Sequence, residues 1–116
     1  MNYDSLDEYQ AETRRTMSSI GDEKLQLAVL ALGLTGESGE LADMIKKHLG
    51  HGHPLDKNKV IKEIGDVLWY AARIADALDV SLSTVVRSNV ENRRIRYPNG
   101  FSTEASLNRA DTEVKP

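Results

Sequence analysis

Apolar residues recur at helical spacing through most of this chain, and helix caps mark off the repeats. Strand-like alternation is absent, so the sequence can bury a core only by packing helices. Ser5 followed by Glu8 reads as a capping box opening a first helix that runs to about Met17. Ser18, Ser19 and Gly21 end it. A long second helix begins near Asp22 and stops at Gly50, with Lys46, Lys47 and His48 in its last turn, where cations suit the helix dipole. The segment His51-Gly52-His53-Pro54 reads as a loop. Asp56 caps a third helix reaching about Leu78, and Ser81 caps a fourth that ends near Arg96, before Pro98 and Gly100. From Ser102 to Pro116 the chain is polar and aperiodic, which predicts a flexible C-terminal tail after a single domain over residues 1–101. The expected fold is all-α, a four-helix bundle-like protomer.

The third helix carries more apolar surface than one bundle can use. Val60, Ile64, Val67, Leu68, Ala71, Ile74, Ala75 and Leu78 fill one broad face, and Ile61, Gly65, Trp69 and Ala72 extend it further round. A four-helix monomer needs one such face, so the excess predicts a homo-oligomer, dimer or tetramer.

Composition removes several classes of function. With no cysteine there are no disulfides, thiolate nucleophiles or cysteine-bound zinc. A net charge of −3 without a basic block gives a nucleic-acid backbone nothing to follow, and 5% aromatic residues make a poor stacking platform for single strands. The acidic, polar start is unlike a signal peptide, and the longest apolar stretch, Leu27 to Leu34, is too short to cross a bilayer. These features read as a cytoplasmic protein that associates with neither membranes nor nucleic-acid polymers. An acidic protein can still bind a polyphosphate when a divalent cation lies between them.

Four acids resist the amphipathic pattern. On the second helix Leu27, Leu30, Leu34, Leu41 and Ile45 form a stripe; Glu37 falls inside it and Glu40 at its edge. On the third, Glu63 and Asp66 border the apolar face beside Val67. A bare carboxylate in a core costs on the order of several kcal/mol, so it must be paired, protonated or bound to a cation. Two helices presenting carboxylates at i and i+3 can face them across a bundle and form one oxygen-rich cage. Oxygen ligands suit Mg²⁺, with Mn²⁺ a substitute, and the lack of histidine in either pair argues against a di-iron site. The competing reading is that the acids are solvated or pair with Lys46, Lys59 and Lys62. Gly33, Gly36 and Gly39 nearby each weaken a helix by about 1 kcal/mol relative to alanine, which predicts a close approach of backbone or ligand.

The sequence Glu37-Ser-Gly-Glu40, followed after a loop by Glu63-Ile-Gly-Asp66, resembles the ExxE…ExxD signature of MazG-like nucleotide pyrophosphohydrolases, within an all-α superfamily that includes dimeric dUTPases and phosphoribosyl-ATP pyrophosphohydrolases. Glu8-Tyr9-Gln10, Leu34 through Asp43, Gly65 through Tyr70 and Arg96-Tyr97-Pro98-Asn99-Gly100-Phe101 extend the likeness over residues 3–101. The resemblance implies Mg²⁺-dependent hydrolysis of a (d)NTP to the monophosphate and pyrophosphate, as in house-cleaning of the nucleotide pool. It also implies ligation by Glu37, Glu40, Glu63 and Asp66, a carboxylate (Glu37 or Glu40) that deprotonates water, and sites built between chains. A dUTPase-like or phosphoribosyl-nucleotide pyrophosphohydrolase is the alternative among enzymes, and a non-catalytic nucleotide- or metal-binding helical oligomer the alternative outside them.

The same likeness assigns the phosphate tail to the fourth helix, where Asn89, Asn92 or Arg93, and Arg96 share a face, with Tyr97 beside them. Relatives commonly carry Lys-Leu where this chain has Asn92-Arg93; either Arg93 replaces the lysine, or Arg93 and Arg94 form a solvated basic face. Gln10 resembles a position near the nucleoside, with Tyr9 packing the first helix onto the bundle. Trp69 is expected at a subunit contact rather than on a base. His48, His51 and His53 read better as part of a mobile lid than as a zinc set.

Overall fold

A computed structural model describes residues 5–19 and 21–112. Among them are five α-helices, α1 (Leu6–Thr13), α2 (Glu23–His51), α3 (Lys57–Ala77), α4 (Leu82–Arg96) and α5 (Thr103–Asn108), with 3₁₀ turns at Arg14–Thr16 and Ala110–Thr112 and no β-strand. The fold is all-helical as expected, with five α-helices in place of the four read from the sequence. No helix among the described residues is long and apolar enough to cross a membrane.

The helix starts follow their caps. Ser5 Oγ accepts the Glu8 amide at 3.0 Å, Asp22 Oδ1 accepts those of Lys24 and Leu25 at 2.8 and 3.1 Å, and Asp56 Oδ1 those of Asn58 and Lys59 at 3.0 and 3.3 Å. The ends differ. The first helix tightens into its 3₁₀ turn after Thr13, short of Met17. The second runs through Gly50 and ends at Gly52, whose φ of 71° is left-handed and whose amide donates to the Lys47 carbonyl. Gly52, not Gly50, is the glycine whose lack of a Cβ the exit requires.

The chain divides into two compact units, one up to Leu82 and one from Ser83 onward. In the first, α2 and α3 form an antiparallel hairpin and α1 lies against α3. Leu30, Ala72, Ala75 and Leu82 are buried, a small apolar core. The inward face of α3 is rotated from the one its apolar residues predict: Glu63, Ala72, Arg73 and Ala75 are buried, while Ile61 (58% exposed), Ile64 (45%) and Leu68 (51%) face outward.

A polar network joins α1 to α3. Buried Arg73 donates from Nη2 to Asp76 Oδ2 at 2.8 Å and from Nη1 to Thr13 Oγ1 at 3.1 Å, and Thr13 in turn donates to the Gln10 carbonyl at 2.6 Å. Arg14 adds Nε and Nη2 contacts to Asp76, at 3.0 and 2.6 Å from Oδ1. Arg14, then Arg73, hold the Asp76 carboxyl well below its usual range, at about 2.

In the second unit the segment expected to be a flexible tail contains α5, started by Ser102 Oγ accepting the Ala105 amide at 3.0 Å. Beyond it, Asp111 receives Arg96 in a two-pronged pair, Nε to Oδ1 and Nη2 to Oδ2, both 2.7 Å. The tail's last residues, 113–116, lie outside the described residues.

Candidate metal centre

Glu37 on α2 and Glu63 and Asp66 on α3 bring one carboxylate oxygen each to within 4.8 Å of one another, the one such acidic or histidine group among the described residues. One turn away the Tyr70 ring packs closely against Gly33. A Cβ on Gly33 would fall 2.8 Å or less from three ring carbons. Gly33 is four residues before Glu37 and Tyr70 four after Asp66, so the glycine contact and the carboxylates occupy successive turns of the same helix faces. Gly36 and Gly39 have open space around them, so the expected close approach belongs to Gly33 alone.

This contact gives a paired prediction. Gly33→Ala must displace the Tyr70 ring, and the overpacking should cost a net ~1–2 kcal/mol despite the better helix propensity. Gly36→Ala meets nothing and should gain up to about 1 kcal/mol. Urea midpoints of the two variants, moving in opposite directions, are the check.

Electrostatically the cluster is unfinished. Glu63 is 9% exposed, and Oε2 of both Glu37 and Glu63 is buried with no hydrogen-bond partner. Glu37 is pushed up to about 7, first by sharing a hydrogen bond with Glu63, then by burial and by the charges of Glu40, Glu63 and Asp66. Glu40, expected to be a ligand, is exposed and outside the group of three, although its charge reaches Glu37. The cation at the cluster is Lys62, whose Nζ is 2.9 Å from Asp66 Oδ2 and 3.7 Å from Glu63 Oε1. Buried acceptors with no donor, drawn from two helices and made only of oxygen, fit a hard divalent cation such as Mg²⁺ or Mn²⁺.

Beside the acids lies an open cavity of about 330 Å³ lined by Thr16, Glu37, Asp66, Trp69 and Tyr70. The Trp69 indole donates to Thr16 Oγ1 at 3.0 Å and meets Tyr70 edge-on, 5.0 Å between ring centroids. Trp69 therefore borders the cavity, whereas its helical-wheel position had suggested a subunit contact. Tyr9 also approaches: burial, and after it the charge of Asp66, raises its phenol above the ordinary range. The sequence held no signal for Thr16, whose role depends on α1 lying against α3.

Gln10, expected beside the nucleoside, bonds to the segment that leads into α4. Its side chain is buried; Nε2 donates to the Val80 carbonyl at 2.9 Å, and Oε1 accepts the Leu82 amide at 2.7 Å, closing the start of α4. These bonds hold the start of α4, and Gln10 also lines an open cavity of about 390 Å³ with Arg14, Asp76 and Val80. In the second unit Arg93 and Arg96 lie 5.5 and 5.8 Å from the Tyr97 ring centroid, and Asn89 is exposed on α4. Asp111 already answers the Arg96 guanidinium. His48 donates from Nδ1 to the His53 carbonyl at 2.7 Å, and the His51 and His53 rings are 6.1 Å apart.

Comparison with known proteins gives two matches. Residues 26–101 match the MazG nucleotide pyrophosphohydrolase domain. The Gene 37 protein of Mycobacterium phage L5 is 38% identical over 92 residues, covering 72% of this chain and 76% of that protein. No solved structure matches.

Proposed function

Because this chain belongs to the MazG nucleotide pyrophosphohydrolase family, we propose that it hydrolyses a (d)NTP between the α and β phosphorus atoms, using Mg²⁺ or Mn²⁺ held by Glu37, Glu63 and Asp66 with Glu40 alongside. The observation that carries this reading is the convergence of three carboxylates whose buried Oε2 atoms, on Glu37 and Glu63, lack any donor. When bound, a divalent cation neutralises and orients the phosphate oxygens.

The chain's own residues then have distinct tasks. Glu37 or Glu40 takes a proton from the attacking water. The water oxygen bonds to the α phosphorus as the bond to the bridging oxygen breaks, so pyrophosphate leaves with that oxygen and the monophosphate remains. Arg93, exposed above Tyr97, is the α4 guanidinium offered to the phosphate tail, with Asn89 on the same helix; Arg96 joins it only by releasing Asp111. Trp69, Tyr70 and Thr16 offer the cavity beside the acids to the nucleoside. The catalytic domain spans residues 1–101 and clears nucleotides from the cytoplasmic pool.

A nucleotide panel with Mg²⁺, read as phosphate release with and without added inorganic pyrophosphatase, tests this. Phosphate is expected only when pyrophosphatase is present. Release without it, or none on any nucleotide, would contradict the proposal.

The outward apolar residues of α3, together with Leu25, Val29 and Leu32 on α2, form a surface suited to a second copy of the chain. Light scattering at micromolar concentration should give a dimer or tetramer mass; a monomer mass with intact helical circular dichroism counts against it.

A further inference from the structure

Lys62 is the residue whose position the chemistry above leaves unused. It precedes Glu63 by one residue and Asp66 by four, so its stem runs along the α3 turn that carries both acids. The ammonium bridges them, 2.9 Å from Asp66 Oδ2 and 3.7 Å from Glu63 Oε1, while the side chain as a whole is 69% exposed. It thus lies at the mouth of the carboxylate group and not inside it.

Two physical constraints follow. A hard divalent cation on Asp66 and Glu63 would take their oxygens at roughly 2.0–2.6 Å. An ammonium in contact with the same Asp66 oxygen would then be only a few ångströms from the dication, and the two repel. Lys62 must therefore give up Asp66 when the cation binds, although its four-carbon stem keeps it at the mouth. The second constraint is charge. Glu37, Glu40, Glu63 and Asp66 carry four carboxylates, and one dication leaves the group anionic. A polyphosphate approaching it needs a further cation, and the one that the first unit places at this mouth is Lys62.

We infer that Lys62 is an exchanging cation: it occupies Asp66 in the metal-free protein, and it binds the substrate's polyphosphate oxygens once the metal has displaced it. This rests on the metal reading above. A purely structural i,i+4 surface pair predicts neither half, since such a pair affects stability slightly and ligands not at all.

The test uses the full chain with Lys62→Met, which keeps the stem and removes the charge, and Lys62→Arg, which keeps the charge. The Lys62 side chain is exposed, and unchanged helical circular dichroism verifies folding. Calorimetric titration with Mn²⁺ alone should show Lys62→Met binding about fivefold more tightly than wild type, because its internal competitor is gone. Inorganic tripolyphosphate titrated into the Mn²⁺-loaded proteins should bind Lys62→Met about tenfold more weakly, with Lys62→Arg restoring most of the loss. Mn²⁺ affinity within twofold of wild type in Lys62→Met overturns the exchange, and equal tripolyphosphate affinity overturns the phosphate contact. Wild type that binds no Mn²⁺ overturns the metal reading and this inference together; wild type that binds Mn²⁺ identically to Lys62→Met overturns this inference alone.

Discussion

Glu63→Gln should abolish hydrolysis and leave a folded protein. Glu63 is the most buried of the clustered acids, shares a hydrogen bond with Glu37, and keeps one oxygen without a donor. Losing even the outer partner of a metal ligand typically costs ~10–100-fold, so losing the ligand should cost more than ~100-fold in kcat/KM. The metal-free fold should not suffer. The amide removes one of several crowded negative charges and can donate to Glu37, so the melting temperature without metal should hold or rise. Asp43→Asn is the control. Asp43 lies on the same helix but pairs with Lys46 and Lys47 at 3.0 and 2.8 Å on the surface, and its loss should leave turnover unchanged. Turnover and thermal melting of the two variants decide between a cation cage and an ordinary ion pair, for which Glu63→Gln would destabilise and retain activity.

Asp76→Ala should have the largest effect on stability. It leaves the guanidinium of Arg73, 5% exposed, with no counter-ion, and breaking such a buried pair costs about 3–5 kcal/mol. Arg14→Ala removes the more exposed partner of the same carboxylate and should cost less than about 1 kcal/mol. The pair also sets an acid sensitivity. Asp76 is held at about 2 against an ordinary 3.8, so the folded protein binds its proton more weakly than the unfolded chain. Its contribution is therefore full above pH 4 and disappears as pH falls towards 2, by roughly 1–2 kcal/mol after solvent screening. Urea unfolding at pH 6, 4 and 2.5 should show that loss in the wild type and its absence in Asp76→Ala.

What the sequence revealed and what it hid divide along local and tertiary lines. Ser5, Asp22 and Asp56 announce helix starts because a cap binds amides two or three residues away. The end of α2 was harder, since Gly50 and Gly52 make equal local claims and only the left-handed exit at Gly52 separates them. The start of α5 at Ser102 is a local cap too, but six helical residues show no apolar period. Arg73 and Asp76 look like an exposed i,i+3 pair in sequence; their burial arises because Thr13 and Gln10 on α1 lie over them, sixty or more residues away in the chain. Glu63 is buried while Ile64 and Leu68, which the wheel put on the main apolar face, stay exposed.

The acids show the same division. Both Glu37 and Glu40 stood out by pattern, yet a step of three residues also rotates the side chain round the helix. Only Glu37 reaches Glu63 and Asp66, while Glu40 faces solvent. Gly33, Gly36 and Gly39 looked alike until Tyr70 singled out the first. Gln10 matched a family position by its neighbours Glu8 and Tyr9, but its amide is committed to Val80 and Leu82.

Glu37, Glu63 and Asp66 are proposed to hold a divalent cation in the folded protein. Thermal melting with and without Mg²⁺, in the wild type and in Glu63→Gln, tests it most directly. A cation at ~100 times its Kd stabilises the native state by about 2.7 kcal/mol, roughly 10 °C for a domain of this size. That rise is expected in the wild type and little or none in Glu63→Gln; equal melting temperatures for the wild type with and without saturating Mg²⁺ or Mn²⁺ would overturn the cation site.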